Sequence, residues 1–378
     1  MRTDFDAIVI GAGVAGSSMA ISLARQGWQV ALIDKDSFPR HKACGEFLSP
    51  ESIVSLKALE LDSVIDEFRP PVITTACLHT ESVSLSIALP GTAIGLSRYS
   101  LDSWLQQKAF EIGVQVYTGS TVSAIVETII GYVVEISSKE GRVQLSSRTV
   151  IAAWGRRPLN RLQAASQKSS SRTYIGIKSH FTCSDCEPIV DLYFFQGGYF
   201  GISPIEGGRL NVAALLTHDT FHTLGSPNSV QRIMEYAAKQ IPALHSRLES
   251  IDLVPGTQAA TSPVIIRPQP IAWNEIACIG DAVAVIPPFC GDGMSMALRS
   301  VELCSPLANA YLRGDCTKTE WRNTYTEQIK HQFSNPLRWG RILDRLLTNR
   351  KLSPILLRLG TFAPGIAEKM VRATRVRG

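Results

Sequence analysis

Phe5-Asp6-Ala7-Ile8-Val9-Ile10-Gly11-Ala12-Gly13-Val14-Ala15-Gly16 runs an apolar stretch of strand length straight into three glycines. Ser17 to Arg25 then reads as a helix ending at Gly27, and Gln29-Val30-Ala31-Leu32-Ile33 as a second strand closing on Asp34. Strand, glycine turn, helix, strand and acid form the dinucleotide-binding pattern. Gly11 permits the tight turn. Gly13 lets backbone N–H groups approach a pyrophosphate, and Gly16 lets the helix pack on the strand. The helix N-terminus offers partial positive charge to phosphates, and Asp34 can accept hydrogen bonds from a ribose diol.

A second segment answers the first from the other end of the chain. Glu275-Ile276-Ala277-Cys278-Ile279 is a buried-strand run ended by Gly280-Asp281. Pro287-Pro288-Phe289-Cys290-Gly291-Asp292-Gly293 follows, and a helix begins near Met294. Asp281 can hold a ribityl hydroxyl. The helix start aims N–H groups at an electron-rich ring edge, which in a flavin is N1 and O2. Together the two segments imply one long, non-covalently held cofactor, FAD.

The chain resembles the glutathione-reductase-type flavoproteins, in the branch with para-hydroxybenzoate hydroxylase, flavin-dependent halogenases and geranylgeranyl reductases. Three further stretches carry the likeness: Phe38 to Pro50 around Cys44-Gly45-Glu46, Ser97-Arg98-Tyr99 opening a helix, and Val150 to Arg156. The resemblance covers residues 1–330. It implies FAD contacts at Gly11, Gly13, Ala15, Gly16, Asp34, Lys35, Arg40, Cys44, Gly45, Arg98, Val122, Ala153, Gly280, Asp281, Pro288, Gly291, Gly293 and Met294. The departures are informative. Trp154 stands where hydroxylases of this branch keep an Asp that binds FAD and handles NADPH. Gly198 to Pro204 lacks both Trp residues of the halogenase Trp-x-Trp-x-Ile-Pro stretch, and the halogenase lysine has no evident counterpart. Halogenation is therefore disfavoured.

At 378 residues, the chain exceeds the size at which one core stops growing. The expected fold class is α/β: a Rossmann-like FAD-binding domain in discontinuous segments (1–75, 98–173 and 267–330), an α+β substrate domain with a mixed or antiparallel sheet (76–97 and 174–266), and a basic C-terminal helical region (331–378). Asp191–Phe195, Tyr199–Ser203 and Arg209–Leu216 read as consecutive strands, with Ser229–Arg247 as one helix across them. The 45% hydrophobic content supports a substantial core. No stretch reaches the roughly 18 apolar residues of a spanning helix, and no signal peptide precedes the first strand, so a cytoplasmic or membrane-peripheral location is expected. There the eight cysteines read as thiols. Cys183-Ser184-Asp185-Cys186 lacks the second pair of a zinc site. His218 and His222, with Pro and Gly nearby, argue against both a regular helix and a metal site. No metal is expected.

Aromatic residues Phe195, Tyr199 and Phe200, with Pro288 and Phe289, suggest an apolar or aromatic substrate pocket. An alternative is that about half of the sheet aromatics fill the core, because a strand has two faces. Cys44, Glu46 and Tyr199 are the catalytic candidates; a carboxyl partly desolvated beside a flavin is expected to have a raised pKa. Residues 331–378 hold ten Lys or Arg and two acids, a net +8 against +5 overall, so the rest of the chain is net negative. Trp339, Ile342, Leu343, Leu346 and Leu347 share a helical face opposite Arg338, Arg341 and Arg345. Such a tail either caps the catalytic body or docks on an anionic membrane or acidic partner. Nucleic acid is not expected, since no other basic stripe exists. The residues favour, narrowly, a monooxygenase or oxidase of a hydrophobic small molecule in secondary metabolism. Open beside it are a geranylgeranyl-reductase-like reductase of a lipid double bond and an enzyme modifying a carrier- or protein-bound substrate. Electrons would come from NAD(P)H or a partner reductase.

Overall fold

The computed structural model describes residues 3–156, 173–183, 186–223, 230–248 and 251–376. Two sheets organise it. In the first, Phe5–Ile10 lies between Val30–Ile33 and Gly141–Ala152, all parallel. Gln115–Tyr117 adds in parallel on one side and Ile276–Cys278 on the other. These strands read as continuous apolar runs because both faces are covered; Ile8, Val9, Leu32 and Ile151 are fully buried. Thr121–Thr128 and Gly131–Ser138 extend the sheet as an antiparallel meander on Gly141–Ala152.

The second sheet runs in the order Ile251–Leu253, Thr173–Cys183, Arg209–Thr217, Gly198–Ile205, Ile189–Phe195, Val72–His79, Ser84–Gly95 and Phe47–Leu48, with Ala259–Ile265 also on Thr173–Cys183. It is mixed: Ile189–Phe195 and Val72–His79 pair in parallel, and the other pairings are antiparallel. Its two faces differ. On the far face Phe195, Phe200, Val212 and Leu216 pack against Ile233, Met234 and Leu244. On the near face Phe194, Tyr199 and Leu215 pack with Phe289 and with Leu343, Leu347 and Leu357 of the C-terminal helices.

Two local expectations need correction. The single helix across the far face is two, Val230–Ala238 and Pro242–Leu248. Pro242 has no N–H to continue the first, but it suits the opening turn of the second. His218–Thr223 is a short helix despite the nearby breakers. Part of the expected return to the first domain, residues 157–172, lies outside the described residues.

The C-terminal region packs on the body. Helix Lys318–Leu347 opens with a reciprocal Thr317/Glu320 capping box. It then rides so close over the loop before Gly291 that a Cβ at Gly340 would fall 3.0 Å from Pro287 Cδ and 3.1 Å from Ile286 Cγ1. Helices Leu352–Phe362 and Pro364–Thr374 follow. Of the apolar face read at 339–347, Leu343 and Leu347 are buried, whereas Ile342 faces solvent. Among the described residues, no helix is long and apolar enough to cross a membrane.

Phe200 is fully buried against the far-face helices. Phe200→Ala should cost about 3–5 kcal/mol of stability, read as a lowered thermal midpoint. Bound FAD should stay unchanged, because that face is turned away from the cavity.

Candidate active site

A deep cavity lies between the two sheets. Its walls come from the first glycine loop, the Cys44 segment, the Gly280 and Pro288 loops and the near face of the second sheet. At one end, helix Val14–Arg25 starts from Gly13 with no side-chain cap, leaving its first-turn N–H groups for a ligand. A Cβ on Gly13 would point at two cations, 3.4 Å from Arg98 Nη2 and 3.7 Å from Lys42 Nζ. Arg98 is held by a bidentate pair with Asp102 at 2.6 and 2.7 Å. Burial, then the charges of Arg98 and Arg40, lower the Lys42 ammonium to about 8. A diphosphate placed here would meet backbone donors and both cations at once, so the cradle fits FAD. Gly11, at φ +109°, permits a close approach that any Cβ would block, 2.3 Å from Ala153 O.

Asp34 accepts from Ala12 N at 2.7 Å, Asp36 N at 2.9 Å and Arg40 Nη2 at 3.2 Å. The carboxylate is thereby aimed beside the glycine turn. Lys35 is exposed and pairs with Asp36, while Val122 is buried in the first core. Neither lines the cavity, and nor do Gly11, Gly16, Asp34 and Arg40 themselves. Gly13, Ala15, Cys44, Gly45, Arg98, Ala153, Gly280, Asp281, Pro288, Gly291, Gly293 and Met294 all do.

Beyond the phosphate end, Asp281 pairs with Arg156 at 3.3 Å. Helix Gly293–Arg313 also starts at the cavity. The residue before it, Asp292, is fully buried and receives Arg375 Nη1 at 2.8 Å from the end of the last helix. Burial pushes its carboxyl up to about 7, only partly offset by Arg375. Arg375 also lines the cavity, which makes the C-terminal region part of the site.

The near face of the second sheet is graded. Strand registry aligns His180 with Asn211 and Ser203, then Lys178 with Ala213, Gly201 and Leu192, then Gly176 with Leu215, Tyr199 and Phe194. The roof thus passes from polar through small to apolar. Glu46 meets its polar end. It is fully buried with φ +55°, a left-handed backbone that costs a non-glycine residue about 1–2 kcal/mol. Glu46 Oε1 accepts from Lys178 Nζ at 3.0 Å and Arg98 N at 3.0 Å, and Oε2 lies 2.6 Å from His180 Nε2. Burial alone would raise this carboxyl, but His180, Lys178 and the Arg98 amide outweigh it and hold it below its ordinary value. That corrects the expected raised pKa: the expectation counted desolvation without partners. Burial in turn lowers Lys178. His41, 3.2 Å from Lys178 Nζ, is lowered to about 4 by burial and by the charges of Lys178 and His180.

Cys44 lines the cavity, with its carbonyl held by Asn211 Nδ2 at 3.0 Å and its thiol receiving Glu46 N at 3.4 Å. Tyr199 and Phe289 line it as expected of a pocket, and burial raises the Tyr199 phenol well above its ordinary value. Phe195 and Phe200 do not, since they lie on the far face; Phe194 is the near-face aromatic. Sequence reasoning missed Lys178 and His180, although two polar residues at period two in an apolar strand mark one face. It also missed Lys42, Arg156 and Arg375. None of the eight cysteines is joined in a disulfide. Away from the cavity, Cys77, His79 and Asp191 bring ligand atoms within 4.8 Å of one another. His79 there already bonds Ser84 and Asp191 Oδ1, and Arg247 lies 3.6 Å from Asp191 Oδ2.

A two-ended dinucleotide cradle beneath a mixed sheet defines an FAD-dependent oxidoreductase. Residues 4–333 match the FAD binding domain family, and the chain belongs to it. It is similar to a menaquinone reductase of Mycolicibacterium smegmatis, 24% identical across 100% of this chain and 92% of that protein. A digeranylgeranylglycerophospholipid reductase of Methanopyrus kandleri is 23% identical over 89% of this chain and 85% of its own length. Among solved structures, the myxobacterial chondrochloren halogenase CndH shares the fold at TM-score 0.77 and 21% identity, covering 90% of this chain and 81% of that one. An FAD complex of a variant of the halogenase PltM shares it at TM-score 0.79 and 14% identity, covering 97% and 82%.

Gly13→Val should abolish FAD binding, measured by titration of the apoprotein with FAD, because its side chain enters the phosphate cradle. For pH, Asp292 keeps its proton up to about 7 when folded, against an ordinary 3.8. Within that window the folded state holds the extra proton, so this group's contribution to stability falls as pH rises and levels off above about 7. The thermal midpoint of Asp292→Asn, taken relative to wild type, should therefore climb across the same window and then flatten.

Proposed function

We propose that this protein is an FAD-dependent reductase that adds two hydrogens across a carbon–carbon double bond of a long apolar substrate. The observation that carries the reading is the graded roof, whose apolar end leads across the cavity to the buried Glu46–Lys178–His180 cluster at its polar end. Saturating a double bond needs one hydride and one proton delivered in a dry cavity, and this arrangement suits both needs. The similarity to two lipid reductases along most of the chain supports the same choice. Oxygenation, narrowly preferred from sequence alone, is the rival.

FAD, when bound, supplies the hydride. Leu192, Leu215, Tyr199 and Phe289 hold the apolar chain and keep water out. Because Glu46 stays ionised, the transferable proton resides on its partners. Lys178 Nζ and His180 Nε2 are 2.7 Å apart, so one proton can shift between them. Burial makes the Lys178 ammonium a stronger acid than a free lysine. Glu46, which faces the cavity, stabilises the protonated cluster and orients it. One carbon of the double bond would take the hydride and the other a proton passed from Lys178 or His180 through Glu46, the member of the cluster that lines the cavity, leaving the cluster one proton short until solvent restores it. The electrons for FAD would come from NAD(P)H or a partner reductase. With Trp154 in place of the hydroxylase Asp, reduction by NADPH alone should be slow.

The test uses enzyme reduced with dithionite under strict anaerobiosis and mixed with a menaquinone or a geranylgeranylated glycerophospholipid. The flavin should return to its oxidised spectrum without oxygen, and the product should be heavier by two hydrogens that remain after any quinol is reoxidised in air to the quinone. Glu46→Gln should slow that return at least tenfold, equivalent to about 1.4 kcal/mol in the barrier, while still holding FAD. A flavin that reoxidises only when air is admitted, with oxygen appearing in the product, would assign the enzyme to the monooxygenases instead.

A further inference from the structure

Helix Leu352–Phe362 is apolar on two opposite sides. Leu356 and Leu357 face inward and, with Met370 and Val371 of the next helix, join the cluster that holds Tyr199, Phe194 and Phe289. Leu352, Ile355, Leu359 and Phe362 face outward, 42%, 56%, 55% and 87% exposed. At the helical repeat these four fall within one narrow arc. A helix needs only one apolar side to pack on a protein core; a second, solvent-facing apolar side calls for another apolar phase.

The charge around this stripe indicates which phase. Arg358 borders it on the same helix, Lys351 precedes it, and Lys369 and Arg372 lie on the helix packed beside it. All four are exposed, and among the described residues none has an acid within ion-pair distance. Arg350 is paired with Glu81, and Glu368 is the one exposed acid on the following helix. Apolar side chains between unpaired cations match the layered chemistry of an anionic bilayer surface, with hydrocarbon below and phosphate above.

We propose that the outer face of Leu352–Phe362 is a docking surface for an anionic lipid bilayer. The helix would lie in the membrane interface, with its inner face against the apolar end of the cavity. This deepens the reductase reading by naming the bilayer as the source of its substrate, but it can stand or fall without that reading, because its test does not depend on turnover.

The experiment is vesicle flotation of the full-length, FAD-loaded protein. Vesicles are made of phosphatidylcholine alone or of phosphatidylcholine mixed with phosphatidylglycerol. The protein should float with the anionic vesicles, and added salt should weaken that binding. Ile355→Asp combined with Phe362→Asp should lower the bound fraction at least tenfold, with thermal midpoint and flavin absorbance unchanged. Arg358→Glu combined with Arg372→Glu should reduce binding to anionic vesicles by a similar factor. No flotation on either vesicle, or flotation untouched by both double variants, would overturn the proposal. So would a stable dimer that the Ile355/Phe362 variant converts to monomer, since a second copy would then own the surface. Binding to an acidic carrier protein, lost in the same variants, with no vesicle binding would assign the stripe to a protein partner and overturn it as well.

Discussion

A buried carboxylate must be paired, and the pairing of Glu46 sets how the two halves of this protein meet. Removing one partner from a buried pair costs about 3–5 kcal/mol, so the contact tolerates little displacement. Glu46 belongs to the segment that floors the cavity. Its partners Lys178 and His180 belong to the roof, and its third partner is the amide that opens the Arg98 helix. Roof, floor and phosphate cradle are therefore fixed against one another at one carboxyl group. The left-handed backbone of Glu46 falls at this same residue, where the three contacts converge.

The same contact gives the cavity its direction. Cations and imidazoles gather where the carboxylate is, and the remainder of the roof is left to glycine, alanine and leucine. Small residues at Gly176, Gly201 and Ala213 leave room below the sheet, while Leu215, Tyr199 and Phe194 close the apolar end. Charge at one end and hydrocarbon at the other orient an elongated ligand without any group dedicated to that purpose.

Much of this was legible in the sequence where the constraint is local. Gly11 and Gly280 sit at positive φ in tight turns, and such positions select glycine irrespective of distant neighbours. The parallel core was legible because strands covered on both faces become apolar throughout. What escaped depends on distance. Glu46 is visible as an acid, but its partners arrive 132 and 134 residues later, so its ionisation could not be read from its own segment. Alternation along Ile189–Phe195 and Gly198–Ile205 separates two faces without saying which looks into the cavity. Only the packing of Val230–Ala238 and Pro242–Leu248 decides that, and it places Phe195 and Phe200 outside.

Arg375 adds a consequence for assembly. It meets Asp292 from 83 residues further along the chain and supplies one wall of the cavity. Every other side chain in that wall is synthesised earlier. Until that residue has been made, the cavity lacks the wall and the buried Asp292 lacks the cation that Arg375 supplies.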